Sequence, residues 1–521
     1  MFGQNFRYRG VRFSSFNRGE KYCLTALSIL TFLLRVPLAL RPTAMLTALP
    51  YGDDAYYLFS IARHLSSGHG ISVDGIHLTN GFQPLILLFY TPIFWLFGSN
   101  AWLAVRWTFV MNAAISALTI WTGAFTVRAL ERQTQRSTVS APVIFAALSG
   151  LGYEFFAQMT NGLETGLLTL LLLISIYYYN KIAFEEKNEN APRSEYIALG
   201  VVLGLTVLAR IDAAILVAII VLSLFLRRKI VPAIITGSVT FLITLPWWLY
   251  NVIYFGNVMP SSGQAENSWP VPPGISLQSA VKSLSEIITL IFYLPGSFGP
   301  VIRTLWILAL LSAIVYAFTR TRLKNVLRTM RFNVLLPFIL FSLILLVYYT
   351  FFFGAPHFIS RYMQPMRILW AIIVSFAASW LWDQRGKFAR VLLTLGVVLG
   401  ITFTIYQYAF LYFPSIGTCE LYHAGLWAKD HPREKIAMLQ SGIASFIAPN
   451  ISNLDGKVNS DALKAHLDGH LGEYLQQEKF SYIADSKSFI SDINRLAQKD
   501  HVYFDSCMMI GSIEVMKRRD D

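Results

Sequence analysis

"YGDDAYYLFSIARHLSSGHG", residues 51–70, is the stretch from which this chain is read. It follows an apolar run and puts two adjacent carboxylates, Asp53 and Asp54, at the edge of a membrane segment. The helical spacing of Tyr57, Leu58, Ile61, Ala62 and Leu65, ended by Ser66-Ser67-Gly68, predicts a short amphipathic helix over 55–67 lying near the interface. Asp53 or Asp54 would be its N-cap, a role worth about 1 kcal/mol that needs one acid. A second carboxylate at a membrane edge carries desolvation and repulsion costs, so the pair marks a candidate site.

The surrounding chain is apolar throughout. Of 521 residues 55% are hydrophobic and 14% charged, and the mean hydropathy of +0.49 exceeds what a water-soluble domain requires. This is the composition of a polytopic membrane protein. The net charge of +13 is unevenly distributed, with 12 Lys/Arg against 15 Asp/Glu from Pro414 onward and 31 against 15 before it. The basic surplus lies in short clusters between apolar runs, as the positive-inside rule expects of cytoplasmic loops. No long basic stripe or aromatic recognition motif accompanies it, which argues against nucleic acid as a partner.

Those clusters set a topology. Arg128/Arg132/Arg136, Lys181 to Arg193, Arg227/Arg228/Lys229, Arg320 to Arg331 and Arg385/Lys387/Arg390 face the cytoplasm if the apolar runs between them cross in pairs. Crossings near 22–41, 102–127, 140–157, 165–180, 195–209, 213–226, 230–250, 302–319, 333–353, 363–381 and 390–411 satisfy this. The fold class is therefore mostly α, a transmembrane bundle of about eleven helices, with the N-terminus inside and the C-terminus outside. The first segment holds Arg35 and Pro37 and lacks a small-residue cleavage site, so it reads as a retained helix. The stretches 84–98 and 287–301 are short and interrupted by Pro and Gly, and are expected to lie on the outer side without crossing.

Three parts follow: a basic cytoplasmic tail at 1–21, a transmembrane domain at 22–412 with an outer loop at 42–83, and an extracytoplasmic domain at 413–521. The last part reads as α/β, with strands at "KIAMLQ", "FSYIAD", "HVYFDS" and "GSIEVMKRR" and one amphipathic helix at "SDALKAHLDGHLGEYLQQ". Cys419 and Cys507 fall there, where an oxidising compartment would permit a bridge.

The outer loops hold the remaining candidates. "ISVDGIHL" alternates around Asp74-Gly75 as a two-residue hairpin would, and "TNGFQP" adds Asn80 and Gln83. Glu164 sits where the chain turns outside, a position also suited to a helix N-terminal charge. Arg210 and Asp212 in "LARIDA" read as a local ion pair or as substrate contacts. "HFISRYMQP" supplies His357, Arg361 and Tyr362, and Arg35 lies near the outer end of the first helix. Arginine suits an anionic phosphate because its planar donors bind bidentately and its charge is permanent. His64, His69 and His77 share one loop, but their spacing matches no zinc motif.

The basic N-terminus, Arg35, the loop opening "GDDAYY" and running through "HLSSGHGISVDGIHLTNGFQPL", and the segments "NGLET", "LARIDA", "PWWLYNVIYFGNVMPSS" and "SRYMQP" resemble the membrane-embedded GT-C glycosyltransferases. The resemblance covers most of 22–370 and points to the bacterial branch of protein O-mannosyltransferases and the lipid A aminoarabinose transferase. It implies transfer of a sugar from a polyprenyl-phosphate donor to a lipid, glycan or protein acceptor outside the cytoplasm, at a bacterial inner membrane. One of Asp53 and Asp54 would be the general base, and Arg35, Arg361 or Arg210 would stabilise the departing phosphate. Glu164 matches the acidic position of the second outer loop. Asp212, Tyr56, Asn80, Gln83, His357 and Tyr362 would contact donor or acceptor, with no cofactor required and a divalent metal optional. Two other readings compete: a lipid-diphosphate-dependent glycan polymerase or ligase, against which the early acidic pair argues, and a transporter or flippase of lipid-linked sugars, whose buried charges would line the midplane.

Overall fold

The computed structural model describes residues 15–131, 139–184, 192–268, 330–352, 359–383 and 419–519, with scattered positions between 390 and 412. Among them six helices are long and apolar enough to span a bilayer: Arg18–Leu40, Ala101–Leu130, Thr165–Ile182, Ile230–Phe255, Phe332–Phe351 and Gln364–Asp383. Thr165–Ile182 is the most enclosed, 78% buried, whereas Arg18–Leu40 and Ile230–Phe255 are 28% buried and turn most of their surface outward. Phe241, Leu242 and Ile253 are accordingly exposed, as lipid-facing side chains are.

Local chemistry sets the helix ends. The first begins at a reciprocal capping box, Asn17 with Glu20, and Arg128 pairs with both Glu20 and Glu131 to tie it to the end of Ala101–Leu130. Pro37 then changes the first helix to a 3₁₀ turn over Val36–Leu40. Small residues allow close packing deeper in. A side-chain carbon on Gly200 or Gly204 would come within 2.8 or 2.9 Å of Val239 or Ile243, while the Thr236 and Thr240 hydroxyls donate to the carbonyls of Tyr196 and Gly200.

Pro84–Phe97 is a 14-residue helix, about 21 Å long at 1.5 Å per residue and short of a hydrocarbon core. The crossing expected over 140–157 is two helices, Ala141–Leu151 and Tyr153–Met159, because Gly152 adopts an extended conformation between them. The crossing expected at 302–319 and the outer segment at 287–301 lie outside the described residues, as does much of 390–411.

The C-terminal part is a five-stranded sheet, ordered β2-β1-β3-β5-β4, of β1 (Ile436–Met438), β2 (Ile451–Asn453), β3 (Tyr482–Ser486), β4 (Phe504–Ile510) and β5 (Ile513–Arg518). The first three strands are parallel, and β5 and β4 add an antiparallel hairpin. Alternate residues feed two cores. Ala437, Ile483 and Met516 pack with Leu475 and Ile493 on one face, and Met438, Ala484 and Val515 with Ala424 and Ala444 on the other. The single helix expected over 460–477 is broken into Ser460–Asp468 and Leu471–Gln477, since Gly469 takes a left-handed φ of 77°. Cys419 and Cys507 are both free thiols, and Cys507 donates to the Val515 carbonyl at 3.3 Å.

This domain is wedged onto the loop of 42–83. Its Gly442–Ile447 helix buries Ile443 and Phe446 in the core of the membrane bundle. Phe446 lies 5.4 Å from Tyr56 and 5.3 Å from Trp102 in edge-on geometry, with the Arg63 guanidinium 4.8 Å over its ring.

Candidate active site

Asp53 and Asp54 open the Asp53–Ser66 helix, whose N-cap is Gly52. Neither acid is the cap that the sequence suggested, because both already lie inside the first turn. Their partners differ. Asp53 accepts hydrogen bonds from the backbone N–H of Gly442 (2.9 Å) and Ile443 (2.7 Å), and so caps a helix of the C-terminal domain. Gly442 permits this approach, as any side-chain carbon there would stand 2.1 Å from the Asp53 carbonyl. Burial pushes the Asp53 carboxyl up to about 7 against the pull of those two N–H groups, and the neighbouring Asp54 adds to the rise. Beside it, Tyr57 accepts from Asn453 at 3.0 Å and from the Ser441 N–H at 3.2 Å.

Asp54 is partly exposed and faces two cations. Arg361 Nη1 stands 3.4 Å from its Oδ2, and Lys457 Nζ 3.6 Å from its Oδ1. Lys457 also lies 2.8 Å from Glu266 and 3.6 Å from Asp455. Burial would lower the Lys457 pKa, but Asp54, Asp455 and Glu266 outweigh it and hold the ammonium well above its usual range.

Arg361 is positioned from beneath. It donates to the Tyr362 hydroxyl at 3.1 Å, and Tyr362 stacks face to face on Tyr349 at 4.1 Å. Tyr349 donates to Asp212 at 2.8 Å. Asp212 in turn forks onto the buried Arg210, which also reaches the carbonyls of Arg361 and Tyr362 at 3.4 Å. Glu164 is 5% exposed, sits just before the Thr165–Phe184 helix, and acts electrostatically on Arg361. Despite burial, Tyr362, Glu164 and Asp54 raise the Arg361 pKa and keep it cationic.

The other described candidates make different contacts. Arg35 is fully buried, donates to the carbonyls of Thr31 (3.0 Å) and Gly150 (3.1 Å), and lies 4.5 Å over the Phe156 ring. Tyr56 is fully buried among aromatic rings. Asn80 is buried and accepts from the Ser261 N–H at 3.1 Å, fixing the start of the Ser261–Ser268 helix. Gln83 is half-buried ahead of Pro84–Phe97, and His357 lies outside the described residues. The expected hairpin at Asp74-Gly75 is a wider loop closed by one bridge, Ser72 to Leu78, because Asp74 collects the N–H groups of Ile76 and His77. His77 pairs with Asp74 at 2.7 Å and His64 bonds the Ser72 carbonyl at 3.1 Å. Lys457 and Asp455 lie in "NLDGK" and Glu266 in "QAENS", short polar segments without a recognised motif.

No protein-family model and no curated sequence matches the chain. Solved structures do. ArnT from Cupriavidus metallidurans, bound to undecaprenyl phosphate, superposes with a TM-score of 0.56 at 12% identity, over 96% of this chain and 98% of that one. The Archaeoglobus fulgidus oligosaccharyltransferase in its apo form gives 0.53 at 12% identity, over 94% of this chain and 74% of that one. AglB from the same organism, in complex with an inhibitory peptide and a dolichol-phosphate, gives 0.51 at 13%, over 97% and 75%. This is an integral membrane protein with the fold of the GT-C glycosyltransferases, extending over nearly its whole length.

Proposed function

We propose that the protein moves a sugar from a polyprenyl-phosphate carrier to an acceptor hydroxyl outside the cytoplasm, inverting the anomeric carbon. The observation that carries this reading is the division of labour in the acidic pair. Asp53 is consumed by capping a helix of the C-terminal domain, while Asp54 stays accessible between Arg361 and Lys457. A partly exposed carboxylate beside an arginine suits a base working next to a leaving phosphate. The undecaprenyl phosphate of ArnT and the dolichol-phosphate of AglB, held on the same fold, support a lipid-linked donor.

In the reaction Asp54 takes the acceptor hydroxyl proton as its oxygen bonds to the anomeric carbon. The bond from that carbon to the phosphate oxygen breaks, and its electron pair leaves with the polyprenyl phosphate. Arg361 stabilises the growing phosphate charge through its permanent positive charge. Arg210 and Asp212 hold the Arg361–Tyr362 backbone from below, with Glu164 sharing the charge. Tyr362 and Gln83 are candidate sugar contacts, and Arg35 stabilises the outer end of the first helix. The acceptor is a lipid, glycan or protein. No cofactor enters this scheme. The bundle lies in a bacterial plasma membrane with its N-terminus inside and its C-terminal domain outside, as the basic loop clusters favour.

The test uses purified protein in lipid with a panel of polyprenyl-phosphate hexoses and pentoses, following release of polyprenyl phosphate in the presence of envelope extract. Asp54→Asn is expected to lower turnover about 1000-fold with donor binding kept, whereas Asp53→Asn stays within about tenfold of the wild type. Full activity in Asp54→Asn would sink the assignment of the base.

A further inference from the structure

We infer that the C-terminal domain completes the catalytic site by supplying Lys457, a positioning residue that aims and charges Asp54; the inference rests on the transfer reading above. Lys457 Nζ gathers three carboxylates from three separate segments: Asp54 from the outer loop at 3.6 Å, Glu266 from the Ser261–Ser268 helix at 2.8 Å, and Asp455 from its own turn at 3.6 Å. It approaches Oδ1 of Asp54 while Arg361 approaches Oδ2, so each oxygen has its own cation. Both distances are long for charge-assisted hydrogen bonds. The two cations therefore restrict the carboxylate's orientation from both sides.

The backbone that delivers this lysine is held closely. Its carbonyl accepts from the Ser261 hydroxyl at 2.8 Å, and its N–H donates to Asp455 at 2.9 Å. The preceding Gly456 has a φ of 78°, and a side-chain carbon there would meet Leu463 at 2.7 Å. Across the interface, a side-chain carbon on Gly81 would sit 1.7 Å from the Lys457 carbonyl, so only glycine lets the outer loop come this close. This construction fixes the Lys457 backbone against the outer loop. Docking also has its own contacts in Asp53, Tyr57 and Phe446. The C-terminal domain is thus part of the site, and sugar transfer depends on its being seated.

The experiment compares wild type, Asp54→Asn, Lys457→Met and Lys457→Arg on whichever donor the panel identifies, with hydrogen exchange over 442–447 as the check on docking. Lys457→Met is expected to lower kcat about 100-fold while KM for the donor stays within about threefold. The acid limb of its pH–rate profile moves up by about one unit, because a positive neighbour of the base is gone. Lys457→Arg recovers to within about tenfold of the wild type, and exchange over 442–447 is unchanged in both. An inactive Asp54→Asn beside a Lys457→Met with wild-type kcat and pH profile overturns the role of Lys457 alone. Loss of activity in Lys457→Met together with fast exchange over 442–447 overturns it in favour of docking. No turnover by the wild type, or full activity in Asp54→Asn, overturns the transfer reading and the role of Lys457 with it.

Discussion

Adjacent residues on a helix point about 100° apart, and Asp53 and Asp54 show what that does to two identical side chains. One is held by the backbone N–H groups of another domain and the other faces Arg361 and Lys457. Asp53 carries a pH consequence. Its carboxyl titrates near 7 in the folded protein, above the 3.8 of a free aspartate. The folded state therefore holds this proton more tightly than the unfolded state does. The associated stability is full below about pH 4 and is lost as pH rises through about 7. Thermal unfolding in detergent should show a midpoint that falls between pH 5 and pH 8, with a shallower fall in Asp53→Asn. Equal slopes in the two proteins would mean that Asp53 does not titrate in that window.

The decisive elements are short ones. The six-residue Gly442–Ile447 helix is too short to be stable alone, yet it sits at the junction, capped by Asp53 and anchored by Phe446. Phe446 is 3% exposed and packs among Tyr56, Phe59, Phe94 and Trp102. Phe446→Ala should cost about 3–5 kcal/mol of docking free energy, seen as faster hydrogen exchange in the C-terminal sheet and faster proteolysis after Ser441. Protection equal to the wild type would show that the seat is held elsewhere. At the same scale, Tyr349, Tyr362, Arg210 and Asp212 join two helix ends and the Ile359–Tyr362 turn into one block under Arg361. In that setting the Arg210–Asp212 pair supports the site from below.

At the scale of the whole molecule, the proposed orientation puts the C-terminal sheet outside. Cys507, exposed on the edge strand β4, reports on this, while Cys419 is buried. A membrane-impermeant maleimide applied to intact cells should label the wild type and not Cys507→Ser. Labelling that appears only after permeabilisation would invert the topology. Much of the architecture was legible without coordinates. Apolar runs of spanning length, basic clusters between them and period-2 strands near the C-terminus are local patterns that depend only on neighbours along the chain, so hydropathy and charge determined the membrane bundle and the α/β tail. The acidic pair was legible for the same reason. What the tertiary structure alone decided is how the pair divides, which arginine faces it, and that Lys457, some 400 residues away, joins it. Those outcomes rest on close approaches at Gly442 and Gly81 between segments remote in sequence. A glycine chosen for backbone contact across an interface looks, in the sequence alone, like any glycine in a turn.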